Sequence, residues 1–190
     1  MGASAEVGTR TRFPTAGTYG LDPAHTSLGF VARHLMVARV RGRFTRGTGT
    51  LHIGDSVEDS WAEAAIEASS IDTREEQRDG HLKSPDFLDV ERYPELRFRT
   101  TGIEAVADDR YRVEGELTIK DVTRPIELDA TFDGEVVDPW GNTRVAFSAT
   151  AEVNREDWGM TWNVALETGG VMVSKKVNLE IDFEAVLQQQ

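Results

Sequence analysis

The fold is decided by the stretch Tyr111-Arg112-Val113-Glu114-Gly115-Glu116-Leu117-Thr118-Ile119-Lys120, where mostly apolar residues at every second position alternate with charged or polar ones. Successive side chains of a β-strand point to opposite faces, so this stretch predicts a strand with one apolar face and one polar face. Many such strands in one small chain can bury their apolar faces by closing into a barrel.

The same alternation recurs along most of the chain and brings the number of predicted strands to eight. The other segments are residues 27–35, 40–53, 61–69, 96–106, 124–137, 144–153 and 177–185. Long strands joined by short turns are typical of closed, tilted barrels. We therefore predict an all-β fold, a single eight-stranded antiparallel up-and-down β-barrel over residues 18–187, preceded by a flexible N-terminal tail over residues 1–17.

Two connections interrupt this meander. In residues 70–94, Thr73 and Glu76 have the spacing of a capping box, which predicts a short helix that begins near Arg74. Residues 154–176 are irregular but rich in apolar side chains, so we expect them to be buried against the open end of the barrel.

The composition excludes several classes of function. The formal net charge of −12 repels phosphate backbones, so we expect no nucleic-acid partner, and it disfavours stable docking on anionic membranes. The absence of cysteine excludes disulfides, thiolate nucleophiles and cysteine-ligated metals. No stretch is long enough to span a bilayer, and residues 1–14 lack the apolar region of a secretory signal. We therefore expect a soluble, cytoplasmic protein that is not an integral membrane protein.

The sequence contains none of the common catalytic motifs. Its four histidines, His25, His34, His52 and His81, are widely spread, which predicts no metal site. Most carboxylates alternate with apolar strand positions, as on a solvated exterior. We accordingly predict no catalytic residues, no enzymatic activity and no required cofactor.

Some polar residues leave a structural and a binding interpretation open. His34 shares the predicted inner face with Phe30, and it is either a hydrogen-bonded residue at the barrel rim or a contact for the polar head of an elongated ligand. Arg39, Arg41 and Arg43 either pair with carboxylates across strands on the outer face or attract an anionic head group near the barrel mouth.

The same choice holds for the large apolar residues of the second connection, namely Trp158, Met160, Trp162 and Met172. They either plug the barrel end or line an entrance, because aromatic and methionine side chains adapt to apolar ligands.

Short motifs along nearly the whole predicted barrel, about residues 18–187, resemble the YceI-like, polyisoprenoid-binding protein family. The matching stretches are Tyr19–Phe30, His34-Leu35 with Val40–Phe44, Ser70–Thr73, Arg78–Asp89, Tyr93-Pro94, Gly115–Lys120 with Thr123–Pro125, Asn154–Gly159 and Gly169–Ser174. The resemblance implies a lipocalin-like barrel with a long amphiphilic tunnel that holds a polyprenyl or quinone-type lipid, and by analogy a homodimer. Many relatives are exported, whereas this sequence carries no export signal.

The residues and the resemblance together lead to the hypothesis of a soluble binding or carrier protein that takes one long isoprenoid-type lipid into its apolar interior. The candidate ligand-binding residues are Phe30, His34, Phe44, Phe98, Phe147, Asn154, Trp158, Met160, Trp162 and Met172. Two alternatives stay open. One is a barrel enzyme acting on a small hydrophobic or lipid substrate, with His34 or His81 as base. The other is a solid-cored structural or stress protein without a ligand.

Overall fold

Long strands dominate the structure of the chain, a computed structural model that describes residues 13–189. They are β1 (Gly17–Leu21), β2 (Ser27–His34), β3 (Ala38–Phe44), β4 (Gly47–Ile53), β5 (Trp61–Glu67), β6 (Ile71–Asp72), β7 (Glu95–Ala105), β8 (Arg110–Ile119), β9 (Val122–Val137), β10 (Thr143–Asn154) and β11 (Val173–Leu187). The helix α1 (Glu76–Lys83) lies in the long connection between β6 and β7.

These strands form an up-and-down antiparallel barrel when segments that continue each other are counted as one strand. β1 and β2 act as one bent strand, since both pair with β11 on one side and with β4 and β3 on the other. β3 with β4, and β5 with β6, continue each other in the same way. The ring closes where β11 meets β1 and β2. The predicted eight-stranded antiparallel barrel is confirmed.

The alternating strand directions give the barrel two different ends. At one end, called the packed end, lie the connections 54–60, 106–109 and 138–142. At the other end, called the covered end, lie the β2–β3 turn and the long connections 73–94 and 155–172. The long connections therefore cover one opening of the barrel and leave the other to short turns.

The inward side chains form two apolar clusters along the barrel axis. Near the packed end, Tyr19, Tyr111 and Phe132 are buried, and the ring of Phe147 lies 5.1 Å from that of Phe132 and 5.5 Å from that of Phe183. Towards the covered end, the second cluster is built by strand residues together with both long connections. Side chains of this cluster, together with some of the first, surround a hollow.

The helix begins later than the capping-box spacing predicts. Arg74 has a left-handed backbone with φ of 60°, so the chain is not yet helical there. The carboxylate of Glu75 accepts hydrogen bonds from two backbone N–H groups of the first turn that have no partner within the helix. Glu75 is therefore the N-cap of α1. The hydroxyl of Thr73 instead donates to Asp79 at 2.5 Å.

Of the tail predicted over residues 1–17, residues 1–12 lie outside the described residues. In the remainder, the Phe13 ring lies 6.5 Å from that of Tyr111, and the backbone N–H of Thr15 donates to Glu135 at 2.7 Å. Gly17 already begins β1. This part of the chain therefore contacts the packed end of the barrel.

Candidate functional site

The hollow is long, narrow and apolar, with a volume of about 290 Å³. Alternate residues of β11 from Val177 to Ala185 line it, a distance of roughly 26 Å along the strand at about 3.3 Å per residue. Thr50, Glu63 and Arg155 are the polar residues of a lining that is otherwise apolar or glycine. Such a space suits a slender hydrocarbon chain.

Two aromatic rings lie close to the barrel wall because glycines face them. A Cβ atom placed on Gly42 would lie 2.3 Å from Cζ of Phe30, and one placed on Gly115 would lie 2.4 Å from Cε2 of Phe98. The rings thus occupy the space that side chains at the two glycines would fill. This arrangement leaves the barrel axis open while keeping its wall aromatic.

Both long connections contribute to the cover of the hollow. Phe87 and Leu88, which follow α1, are each 6% exposed and line the hollow. Trp158 is 2% exposed, and its indole N–H donates to the carbonyl of Leu117 at 3.0 Å. Met160 completes the lining from the 155–172 connection. Hydrogen bonding therefore fixes one side of the cover to the barrel wall.

Arg155 holds the cover together from inside. Its buried guanidinium donates to the carbonyls of Met160, Ser174 and Val173. It also faces the ring of Phe87, with Cζ 5.8 Å from the ring centroid. Burial lowers the pKa of Arg155 from its ordinary value. The guanidinium thus joins the start of β11 to both long connections.

The barrel wall is split at the covered end, between β9 and β10. Pairing between these two strands ends at Asp129 and Thr150. Beyond that point β9 continues towards Val122 paired with β8, and β10 continues to Asn154 paired with β11. Beyond this point the facing edges of β9 and β10 do not pair with each other. We call this gap the β9–β10 slit.

At the slit, a single layer of side chains separates the hollow from the outer surface. An outer groove of about 700 Å³ runs along it. The residues that line both the groove and the hollow are Ile126, Val153, Trp158 and Leu179. Arg124 crosses the slit, since its Nε–H donates to the carbonyl of Asp157 at 3.0 Å. The slit is therefore a thin part of the barrel wall, filled by Trp158 and bridged by Arg124.

Half of the candidate ligand-binding residues lie in the lining of the hollow. They are Phe30, Phe44, Phe98, Trp158 and Met160. The three phenylalanines belong to the strand positions whose alternation predicted an inward direction.

The other five candidates lie outside that lining. Phe147 points inward but belongs to the packed cluster, because alternation fixes the face of a strand residue and not its depth along the barrel. His34 ends β2, and Asn154 caps the 3₁₀ turn that follows β10. Trp162 packs behind the cover against the rings of the 73–94 connection. Met172 bonds through its backbone to the β2–β3 turn.

Several lining residues were not among the sequence candidates. Most of them are strand residues, but four come from the long connections, namely Leu82, Phe87, Leu88 and Arg155. These segments have no period from which an inward direction can be read, and the adjacent Phe87 and Leu88 are their clearest signal. Nothing in the sequence around Arg155 marks it as buried.

Among residues 13–189, Asp22, His25 and Glu184 place three potential metal ligands within 4.8 Å of one another. Arg144 lies in the same group and donates to Asp22 at 2.6 Å. Hydrogen bonds from Arg144 and then His25 lower the pKa of Asp22 to about 2. The guanidinium pairs with both carboxylates of the group, which makes the cluster a poor cation site.

No helix among the described residues is long and apolar enough to cross a membrane.

The sequence is similar to a defined protein family over nearly its whole length. The family model of the YceI-like domain matches residues 19–185. The UPF0312 protein SA2479 of Staphylococcus aureus strain N315 is 38% identical over 169 residues, which cover 87% of this chain and 95% of the relative.

Solved structures are similar in fold. The YCEI protein of Campylobacter jejuni has a TM-score of 0.71 at 25% identity, over 83% of this chain and 90% of its own. BcnA of Burkholderia cenocepacia has a TM-score of 0.74 at 17% identity, over 86% and 98% of the two chains. A polyisoprenoid binding domain from Saccharophagus degradans has a TM-score of 0.68 at 15% identity, over 92% and 100%.

Proposed function

The chain belongs to the YceI-like family, and from this membership and the geometry of the hollow we propose that it is a lipid-binding protein. Its ligand is an isoprenoid-type lipid of the polyprenyl or quinone class, whose apolar chain lies in the hollow. The observation that carries the proposal is the long, apolar hollow beneath a two-part cover. The similarity in fold to a polyisoprenoid binding domain from Saccharophagus degradans points to the same class of ligand.

The proposed binding is driven by burial of the hydrocarbon chain. Each CH₂ group removed from water contributes about 0.8 kcal/mol, and the lost freedom of the chain offsets part of that gain. The volume of about 290 Å³ is at the lower end of ligand pockets, which are roughly 300–1,000 Å³. We therefore propose that one slender chain fills the hollow and that the polar head stays at the covered end.

The alternatives have less support. A catalytic base would have to reach the hollow, whereas His34 is not part of its lining. The ring of His81 packs against those of Phe87 and Trp162 in the cover, and its Nε2 lies 2.9 Å from Asp86. A solid-cored structural protein would not leave an apolar hollow of about 290 Å³ between its inward side chains.

Mass spectrometry of an organic extract of the purified chain tests the proposal. We expect a lipid with a polyprenyl chain in the extract. Titration of the delipidated chain with a short polyprenyl alcohol should then give a saturable change in tryptophan fluorescence. Trp158 should supply most of that change, so Trp158→Phe serves as the reporter control. An empty extract together with no saturable change would rule the proposal out.

A further inference from the structure

The β2–β3 turn presents three consecutive apolar side chains to solvent. Leu35, Met36 and Val37 are 43%, 51% and 80% exposed. Val164, 41% exposed, belongs to the same surface, because the backbone of Met172 bonds to both Leu35 and Val164. We call the four exposed residues the apolar tip. A contiguous exposed apolar surface marks an interaction site more often than single exposed residues do.

The backbone of the tip is unfavourable for the residues it carries. The turn closes with a hydrogen bond from the Val37 N–H to the His34 carbonyl. Leu35 and Met36 have φ values of 51° and 60° in this turn. Turns with positive φ at both central positions favour Asn-Gly, and bulky residues rarely adopt that conformation. Large apolar side chains are thus kept at the tip although their backbone conformation is unfavourable for them. Such strained backbone is common at functional sites.

Uncompensated positive charge adjoins the tip. Arg33 and Arg39 are exposed, lie directly opposite each other on β2 and β3, and have no ion pair among residues 13–189. Like charges in this arrangement destabilise a sheet. Their neighbours differ, since Arg41 pairs with Glu180 at 2.6 Å.

We propose that the apolar tip docks the covered end on a membrane surface that contains anionic phospholipids. Leu35, Met36 and Val37 enter the boundary between head groups and acyl chains, while Arg33 and Arg39 contact lipid phosphates. The net charge of −12 repels such a surface elsewhere on the molecule, so it selects this orientation. Docked in this way, the cover of the hollow faces the bilayer.

The test is co-sedimentation of the full chain with vesicles of phosphatidylcholine containing phosphatidylglycerol, compared with phosphatidylcholine alone. The double variant Leu35→Asn/Met36→Gly gives the turn its preferred residues, so it keeps the fold while removing apolar surface. We expect its binding to fall about ten-fold or more. Arg33→Gln and Arg39→Gln should each weaken binding to the anionic vesicles about five-fold.

Trp140→Ser is the matched control, because Trp140 is 81% exposed at the packed end. It should leave vesicle binding unchanged. The proposal is overturned if the wild-type chain ignores the anionic vesicles, or if Trp140→Ser lowers binding as much as the tip variant. It is also overturned if the tip variant abolishes self-association without vesicles, since the tip would then be a contact between two copies. Vesicle docking needs no bound lipid, so titration with a soluble polyprenyl alcohol tests the proposed function separately.

Discussion

At Gly42, one added methyl group tests whether the hollow holds the ligand. In Gly42→Ala the new Cβ would lie 2.3 Å from Cζ of Phe30, so the ring must turn into the hollow. We expect the affinity for a polyprenyl alcohol to fall about ten-fold, because the chain loses space. The free energy of unfolding should change by less than about 1 kcal/mol. Alanine lowers the conformational entropy of the unfolded chain, and this gain offsets the cost of moving the Phe30 ring. Fluorescence titration and urea unfolding measure the two effects.

Gly102→Ala provides the matched control for that experiment. A Cβ atom there would meet a single carboxylate oxygen of Glu114, at 3.6 Å. Affinity should stay at the wild-type value. Equal losses in both variants, or none in Gly42→Ala, would contradict the placement of the ligand beside Phe30.

Arg155 gives a second prediction at the residue scale. Arg155→Lys keeps the charge but loses the planar guanidinium that reaches three carbonyl groups. We expect the free energy of unfolding to fall by about 2–4 kcal/mol, because buried carbonyls lose a charged donor. Bound lipid should also be released faster, since the cover loses its internal link. Urea unfolding and stopped-flow release measure these changes.

Arg41→Lys is the comparison for Arg155→Lys, because the pair between Arg41 and Glu180 is exposed. Its effect on stability should be below about 1 kcal/mol. Similar losses of unfolding free energy in the two variants would show that the contacts of Arg155 with buried carbonyls contribute no more than an exposed ion pair.

At the scale of the elements, the β9–β10 slit predicts uneven protection along one strand. Residues 122–128 of β9 have partners on β8 alone, residues 129–131 have partners on both β8 and β10, and the register of residues 132–137 is with β10. We expect the slit-facing amides of the first segment to exchange with solvent faster than the inter-strand amides of the second. Hydrogen exchange followed by NMR measures this difference. Uniform protection along β9 would mean that the slit is closed in solution.

Strands were more predictable than the segments that join them. The period of two in β8 predicts both its existence and its inward face, because side-chain direction follows directly from strand geometry. The same rule predicts that Phe30, Phe98 and Phe147 point inward, but it carries no information on depth. The 73–94 connection has no period, so the burial of Phe87 and Leu88 depends on tertiary packing that the sequence does not display.

β1 was not among the predicted strands, for a related reason. Pro23 and the 3₁₀ turn around it interrupt the alternation between Leu21 and Ser27. The two halves are nevertheless one bent strand against β11. Only the pairing partner reveals this continuity, and a partner more than 150 residues away cannot be read from local pattern.

At the scale of the whole molecule, acid should weaken the barrel in part through one charge network. Hydrogen bonds from Arg144 and His25 lower the pKa of Asp22 from 3.8 to about 2, and Arg144 also lowers the pKa of Asp138. The folded protein thus binds fewer protons here than the unfolded chain. The stability from this network is present above about pH 4 and is lost as the pH falls towards 2.

Arg144→Met tests this contribution. Its free energy of unfolding should depend less steeply on pH between about 4 and 2 than that of the wild-type chain. Urea unfolding at a series of pH values measures the slope. Identical slopes would show that these carboxylates keep ordinary pKa values in the folded protein.

The aromatic cluster of Phe132, Phe147 and Phe183 near the packed end has a consequence for selectivity among lipids. Phe183 is one of the lining residues and stacks on Phe147, so these rings narrow the lower part of the hollow, and we expect them to limit how far a guest advances. The affinity for a polyprenyl chain should rise with each added isoprene unit until the chain reaches these rings, and then level off. Affinity would consequently depend on the thickness and branching of the lipid chain, and it would not depend on the length of chain that remains outside the barrel.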